Sequence, residues 1–263
     1  MLFDTHAHFN DDSIQVDGQV SRALAAGVER ILAVGGSPAA NRAALAVAAR
    51  FPRHIRAAIG FDRDQSRVLA DKKTQDLHKL LFPPGCDRSP IAALGEIGLD
   101  FHYAAETEES QRLLFRRQLE IARQLRLPVT VHSREAESAT LDELKQHARL
   151  WQGVPDRIGV LHCFTGSHAM AEDLLEEGFC LSFSGILTFA RADEMRSIAS
   201  EVPESRLLLE TDSPYLAPVP MRGQKNEPGY IRHTAETMAK IRGMTLDALA
   251  RITFHNACRL FWA

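Results

Sequence analysis

Short apolar runs alternate along the whole chain with longer stretches in which apolar positions recur every three or four residues. The short runs read as buried strands and the longer stretches as amphipathic helices. Their alternation is that of repeated βα units around a parallel sheet. Eight units can be counted, with strands predicted at about 2–8, 31–36, 55–61, 91–99, 128–133, 157–163, 180–186 and 207–212. The clearest helix is expected over 108–125, where Leu114, Gln118, Ile121, Ala122 and Leu125 recur at helical spacing before Pro128 opens the next strand. Two further helices, at about 233–242 and 246–260, close the chain. Phe82-Pro83-Pro84-Gly85 reads as a surface loop, and no linker or low-complexity tract divides the sequence. The expected architecture is therefore α/β: one domain over residues 1–263, a single (β/α)8 TIM barrel whose active site lies at the C-terminal ends of the strands.

Several polar residues break the apolar runs. In the first strand, Asp4, His6 and His8 alternate with Phe3, Thr5 and Ala7, so period-two geometry sends the three polar side chains to one face, the barrel interior. Two imidazoles at that spacing can converge on one cation. The fourth strand carries Glu96 inside an apolar run, where an unpaired carboxylate is costly and a metal would remove the cost. His132, His162 and Asp212 finish the fifth, sixth and eighth strands. Any one of them is accounted for by a hydrogen-bonded group at a strand terminus. Together, at one mouth of a barrel, they read as a metal site. Asp4 and Glu210 share the inward parity but lie deeper, where hydrogen bonding to a histidine is expected rather than ligation. His102 follows the fourth strand and is expected to line the pocket. His54, His78, His147, His168 and His255 lie away from strand ends and read as solvated or core-bonded.

Composition narrows the function classes. A net charge of -3 argues against a broad nucleic-acid-coating surface, so any contact with phosphates must be local. Arg63, Arg134, Arg191, Arg222 and Lys225 follow predicted strand ends and are candidates for such a cradle, and Gly166-Ser167 at a helix start offers backbone N–H groups to an anion. Cys86, Cys163, Cys180 and Cys258 form no CxxC pair and read as buried fillers in a reducing compartment. The opening MLFDTHAH has no basic segment followed by an apolar one, and the chain nowhere has the roughly 18 apolar residues a membrane helix needs. A cytoplasmic protein with no membrane contact and no obligate protein partner is expected.

The segments DTHAH, GEIGLD, VHSR, HCFTG and ETDSPYL, in this order, resemble the TatD family of metal-dependent deoxyribonucleases. The resemblance extends to Arg222-Gly223-Gln224-Lys225-Asn226-Glu227-Pro228 and to Asn256-Ala257-Cys258-Arg259-Leu260-Phe261, and so spans nearly the whole chain. It implies an amidohydrolase-like barrel holding one to three divalent ions and hydrolysing phosphodiester bonds of DNA. His6, His8 and Asp212 would hold one ion and His132 and His162 a second, with Glu96 between them. Asp212 is expected to double as general base. The mixed donors admit zinc, manganese or cobalt, and magnesium through the carboxylates. A recessed floor predicts 3′-5′ exonucleolytic cleavage of single-stranded or frayed DNA, the 3′ end being implied by the resemblance. Two other classes fit the same ligands: a hydrolase of a small amide, ester or lactone, and a catalytically silent barrel, which would be expected to have lost a ligand.

Overall fold

The protein is described here by a computed structural model covering residues 1–9, 13–68, 70–81 and 90–262. The loop expected at 82–85 and Cys86 lie outside these residues. Eight parallel strands follow one another around the sheet: β1 Leu2–Ala7, β2 Val28–Gly36, β3 Ile55–Phe61, β4 Ile91–Asp100, β5 Val129–Arg134, β6 Gly159–Leu161, β7 Cys180–Phe183 and β8 Leu207–Leu209. The ring closes between its first and last strands. Ala7 bridges to Ser213, the His8 N–H donates to the Ser213 carbonyl at 2.8 Å, and the Asp212 N–H donates to the His6 carbonyl at 2.9 Å. With helices packed outside every crossover, this is the (β/α)8 barrel that the alternating pattern predicts.

Helix Glu108–Leu125 spans the expected residues, and the closing helices are Ile231–Ile241 and Leu246–Phe261. Four strands differ from expectation by two or more residues, among them β7, which ends at Phe183 rather than at 186. β2 begins at Val28, three residues early, because Glu29 and Arg30 interrupt the apolar run, while pairing with β1 already starts at Leu2–Val28 and resumes at Phe3–Arg30 past an irregularity at Glu29. β6 and β8 stop early, at Leu161 and Leu209. There the chain turns away from the ladder, with left-handed backbone at Cys163 (φ 44°) and Asp212 (φ 55°).

Buried amide side chains fix the ends of β3 and β4. Gln118, on the inner face of helix Glu108–Leu125, donates to the Phe61 carbonyl at 2.8 Å and accepts the Phe61 N–H at 2.7 Å. Two turns earlier, Gln111 does the same for Asp100, at 3.0 and 2.8 Å. Each satisfies a backbone pair that the ladder leaves open, and an unmade buried hydrogen bond costs about 1–3 kcal/mol. Gly98 has a different task. A Cβ there would stand 2.0 Å from the His132 carbonyl oxygen, so only glycine lets β4 and β5 approach this closely beside the site. At the other end of the barrel, Phe3 packs against Phe254, Phe261 and Trp262, and the Arg30 guanidinium lies 4.5 Å from the Trp262 ring. The mouth at the C-terminal ends of the strands opens instead onto a cavity of about 1070 Å³. Among the described residues, no helix is long and apolar enough to cross a membrane.

Candidate metal centre

The floor of this mouth is built from four imidazoles around one carboxylate. β1 delivers His6, which is fully buried, and His8 just past the strand end. Their Nε2 atoms lie 3.3 Å apart. β4 delivers Glu96, and its two oxygens face different groups. Oε2 lies 3.7 Å from Nε2 of both His6 and His8. Oε1 lies 3.2 Å from Nδ1 of His132 and 3.3 Å from Nε2 of His162. Asp212, turned off the end of β8, brings Oδ1 to 3.6 Å from His8 Nε2 and 3.9 Å from His6 Nε2.

The far nitrogen of each ring is also held. His8 Nδ1 donates to the Val34 carbonyl at 3.0 Å, so a neutral His8 presents a bare lone pair on Nε2. His162 Nδ1 meets Glu210 at 3.3 Å, His132 Nε2 meets Asp100 at 3.1 Å, and His6 Nδ1 faces the Thr130 hydroxyl at 3.4 Å. Partners on the outer nitrogen are the usual way to aim a metal-ligating imidazole.

Burial and mutual charge set the protonation of the floor. Burial, reinforced by the neighbouring His162, pushes the His6 imidazole down to about 3, so this ring is neutral near pH 7. Its plane stacks on that of His162 with centroids 3.7 Å apart. Burial acts in the same direction on His162, but Glu210 and Glu96 outweigh it and hold that ring well above its ordinary value. Burial would raise Glu96, yet His162, His132 and His6 hold it well below the usual carboxylate range. Glu96 is thus an anion whose charge is balanced by these imidazoles when protonated, or by a cation in place of their protons.

A divalent cation would supply that charge. Two donors each about 2.1 Å from one ion and about 90–110° apart are separated by about 3.0–3.4 Å, close to the spacings found here. The donor atoms of His6, His8 and Asp212 lie within 4.8 Å of one another, as do those of His6, Glu96 and His162. An imidazole and carboxylate set of this kind suits zinc, manganese or cobalt. The residues fit a metal.

The structure distributes the remaining candidates unevenly. Glu210 reaches an imidazole, whereas Asp4 does not. The Asp4 carboxylate accepts the backbone N–H of His6 and of Thr211 and the Thr211 hydroxyl, and burial pushes it up to about 8. Arg63 and Arg134 line the cavity; His102, Arg191, Arg222 and Lys225 do not. His102 is engaged with Glu135 at 2.6 Å, the Arg222 guanidinium lies over the Phe189 ring at 3.9 Å, and Arg191 and Lys225 face solvent. The N–H and hydroxyl of Ser167 both donate to Glu137, so the helix start offered as an anion site is already taken by a carboxylate. Cys180 is buried, but Cys163 lies on the cavity wall and Cys258 beside Arg30, both partly exposed rather than core fillers.

Of the wall residues that the sequence reading did not single out, four bear most on the site. Asp100 shares the parity of Glu96 and orients His132, so strand periodicity could have found it. Asp62, which burial beside Glu96 pushes up to about 6, follows β3 with no periodic signal. Tyr103 and Tyr215 also line the wall.

Comparison with known proteins agrees with this geometry. Residues 3–262 match the model of the family described as TatD related DNase. The chain is 35% identical to the uncharacterized metal-dependent hydrolase YabD of Bacillus subtilis, over 99% of each chain. It is 46% identical to the uncharacterized metal-dependent hydrolase YcfH of Escherichia coli K12 over 187 residues, 71% of this chain and 67% of that one. The crystal structure of YJJV, a TatD homologue from Escherichia coli K12, superposes with a TM-score of 0.89 at 29% identity, covering 100% of this chain and 98% of that one. A barrel with histidines and carboxylates gathered at its mouth and a family match along nearly its whole length lead to one conclusion: the chain belongs to the TatD family of metal-dependent hydrolases.

Proposed function

We propose that this hydrolase cleaves phosphodiester bonds of DNA, removing nucleotides from the 3′ end of single or frayed strands. The observation that carries the reading is Glu96, whose two oxygens face two separate groups of donors. His6, His8 and Asp212 would hold one divalent ion, His132 and His162 another, and Glu96 would touch both. Such ions acidify water and offset charge on a phosphoryl group.

The chain's own groups supply the rest. Asp212 is the carboxylate best placed to accept the proton of an attacking water, because Oδ1 stands at the edge of the donor cluster and the side chain is 14% exposed to the cavity. Arg63 and Arg134 bring guanidinium groups to the wall, where they would hold phosphate oxygens. Asp100 and Glu210 fix the orientation of His132 and His162. The family to which the chain belongs is described as DNases, which supports DNA as the substrate. A floor recessed in a barrel mouth favours a flexible end over a duplex, because taking a base out of the stack costs a few kcal/mol.

A second reading draws on the thin basic lining. Of five basic residues expected around the mouth, only Arg63 and Arg134 line it, and a small amide, ester or lactone would need fewer still. Manganese-loaded protein should be assayed on an open single strand, the same strand blocked at its 3′ end, a closed single-stranded circle, and a panel of small esters and lactones. The proposal expects the open strand to be cut fastest and the circle to resist. Cleavage of the circle at the rate of the open strand would remove the need for an end. Turnover of the small esters alone would establish the second reading.

A further inference from the structure

Two large aromatic side chains on the cavity wall are left open to solvent: Tyr103 is 64% exposed and Tyr215 63%. A single exposed ring calls for no explanation. The positions of these two do. Tyr103 lies in the turn Phe101–Ala104 that follows β4, and Tyr215 lies in the loop that follows β8. With strands in the order β1 to β8 around a closed ring, these loops stand half a circuit apart, on opposite rims of the mouth.

Each ring is also tied to the floor through its backbone. The Tyr103 N–H donates at 3.1 Å to Oδ1 of Asp100, whose other oxygen is bonded to His132. The Tyr215 N–H donates at 2.8 Å to the Asp212 carbonyl, its own carbonyl accepts from Asn226, and its ring meets that of His8 edge-on at 6.2 Å. The strands flanking β4 add positive charge. Arg63, after β3, and Arg134, ending β5, bring their guanidinium carbons to 5.9 and 4.7 Å from the Tyr103 ring centre. Exposed aromatic faces beside guanidinium groups are what single-stranded nucleic acid recognises, the rings stacking on bases and the cations meeting phosphates.

We propose that Tyr103 and Tyr215 are base platforms, which hold the nucleobases on either side of the phosphate over the floor. The proposal rests on the nuclease reading and makes it narrower. The strand must present two unstacked bases, one to each rim, and a duplex cannot do so without opening. The tyrosines are positioning residues: they place the phosphate and take no part in bond cleavage.

The test uses manganese-loaded protein and two end-labelled single strands of equal length. One carries ordinary nucleotides, and the other carries abasic residues at its two 3′-terminal positions. The wild-type protein is expected to favour the base-bearing strand in KM by about tenfold for each of the two lost stacks, with a smaller change in kcat. Tyr103→Ala and Tyr215→Ala should each remove the share of one stack and leave that of the other, the double variant should lose the preference, and Tyr103→Phe and Tyr215→Phe should keep it. Equal KM for the two strands in the wild-type protein, or alanine variants that retain the wild-type preference, would overturn the platforms while leaving the nuclease intact. A wild-type protein that cuts neither strand removes the nuclease reading itself, and the platforms with it.

Discussion

His162 and Arg134 stand at the ends of neighbouring strands and face one cavity, yet only one of them is braced. His162 is almost fully buried, stacked on His6 and bonded at both ring nitrogens, to Glu210 and Glu96. Arg134 is exposed, and its guanidinium lies over the Tyr103 ring at 4.7 Å. The same contrast separates the whole floor from the whole rim. Each floor imidazole has a hydrogen-bond partner on its outer nitrogen, and Gln111 pins the backbone at the end of the strand that carries Glu96, whereas the Arg134 and Tyr103 side chains reach into solvent. A floor held on every side is pre-organised for chemistry, and a rim that keeps solvent-facing groups is suited to choosing what enters.

The contrast is broken most forcefully by removing metal. Stripping with a strong chelator should abolish turnover, and adding manganese, magnesium or zinc should restore it; undiminished turnover in the stripped protein would leave the floor without a chemical role. Glu96→Ala and Asp212→Asn come next, each lowering kcat by about a thousandfold while the barrel still unfolds cooperatively, because its core is spread over eight strands. Near-normal kcat in either variant would take that residue out of the site. Glu210→Gln removes only the anion behind His162, and a weakening of metal affinity of about 10- to 100-fold is expected in a metal titration. An affinity equal to wild type would reduce Glu210 to a structural role.

A buried histidine outside the site sharpens the contrast. His147 is fully buried and faces Arg123, with no carboxylate like Glu210 behind it among the described residues, and burial and Arg123 push it down to about 3. The unfolded chain therefore takes up a proton below about pH 6.5 that the folded chain refuses. The contribution of His147 to stability should be full above that pH and fall by about 1.4 kcal/mol per unit below it, or about 2 kcal/mol by pH 5. Denaturant unfolding of His147→Gln should show a shallower pH slope than wild type, and equal slopes would contradict the assignment. The smallest effect is expected at the rim. Arg134→Ala should raise KM by about tenfold and reduce the salt dependence of binding by about one phosphate contact, with kcat little changed. A fall in kcat alone would move Arg134 from binding to transition-state stabilisation.

Floor and rim were also unequally legible. Helix Glu108–Leu125 could be read to its ends because its apolar positions and Pro128 bound it. His6, Glu96, His132, His162 and Asp212 stood out because each is a polar residue in, or at the end of, an apolar run, and the barrel gathers strand ends at one mouth. The rim gives no such signal. Arg222 and Lys225 sit within a recognisable segment, but nothing in a loop sequence states that Arg222 turns toward Phe189. Tyr103 is as close in sequence to Glu96 as many core residues are, and its exposure follows from a turn whose geometry strand periodicity does not encode. Asp4 illustrates a third limit. Its parity pointed inward correctly, but its partners are a backbone N–H and Thr211 from the other side of the barrel seam, a contact that exists only once β1 and the end of β8 meet.

The central claim is that Glu96 joins two donor groups into one centre, and manganese can report this directly. Electron paramagnetic resonance of the manganese-loaded protein is predicted to show a spin-coupled pair of ions, replaced in Glu96→Gln by the six-line signal of isolated manganese. Isolated manganese in a fully active wild-type protein would contradict it.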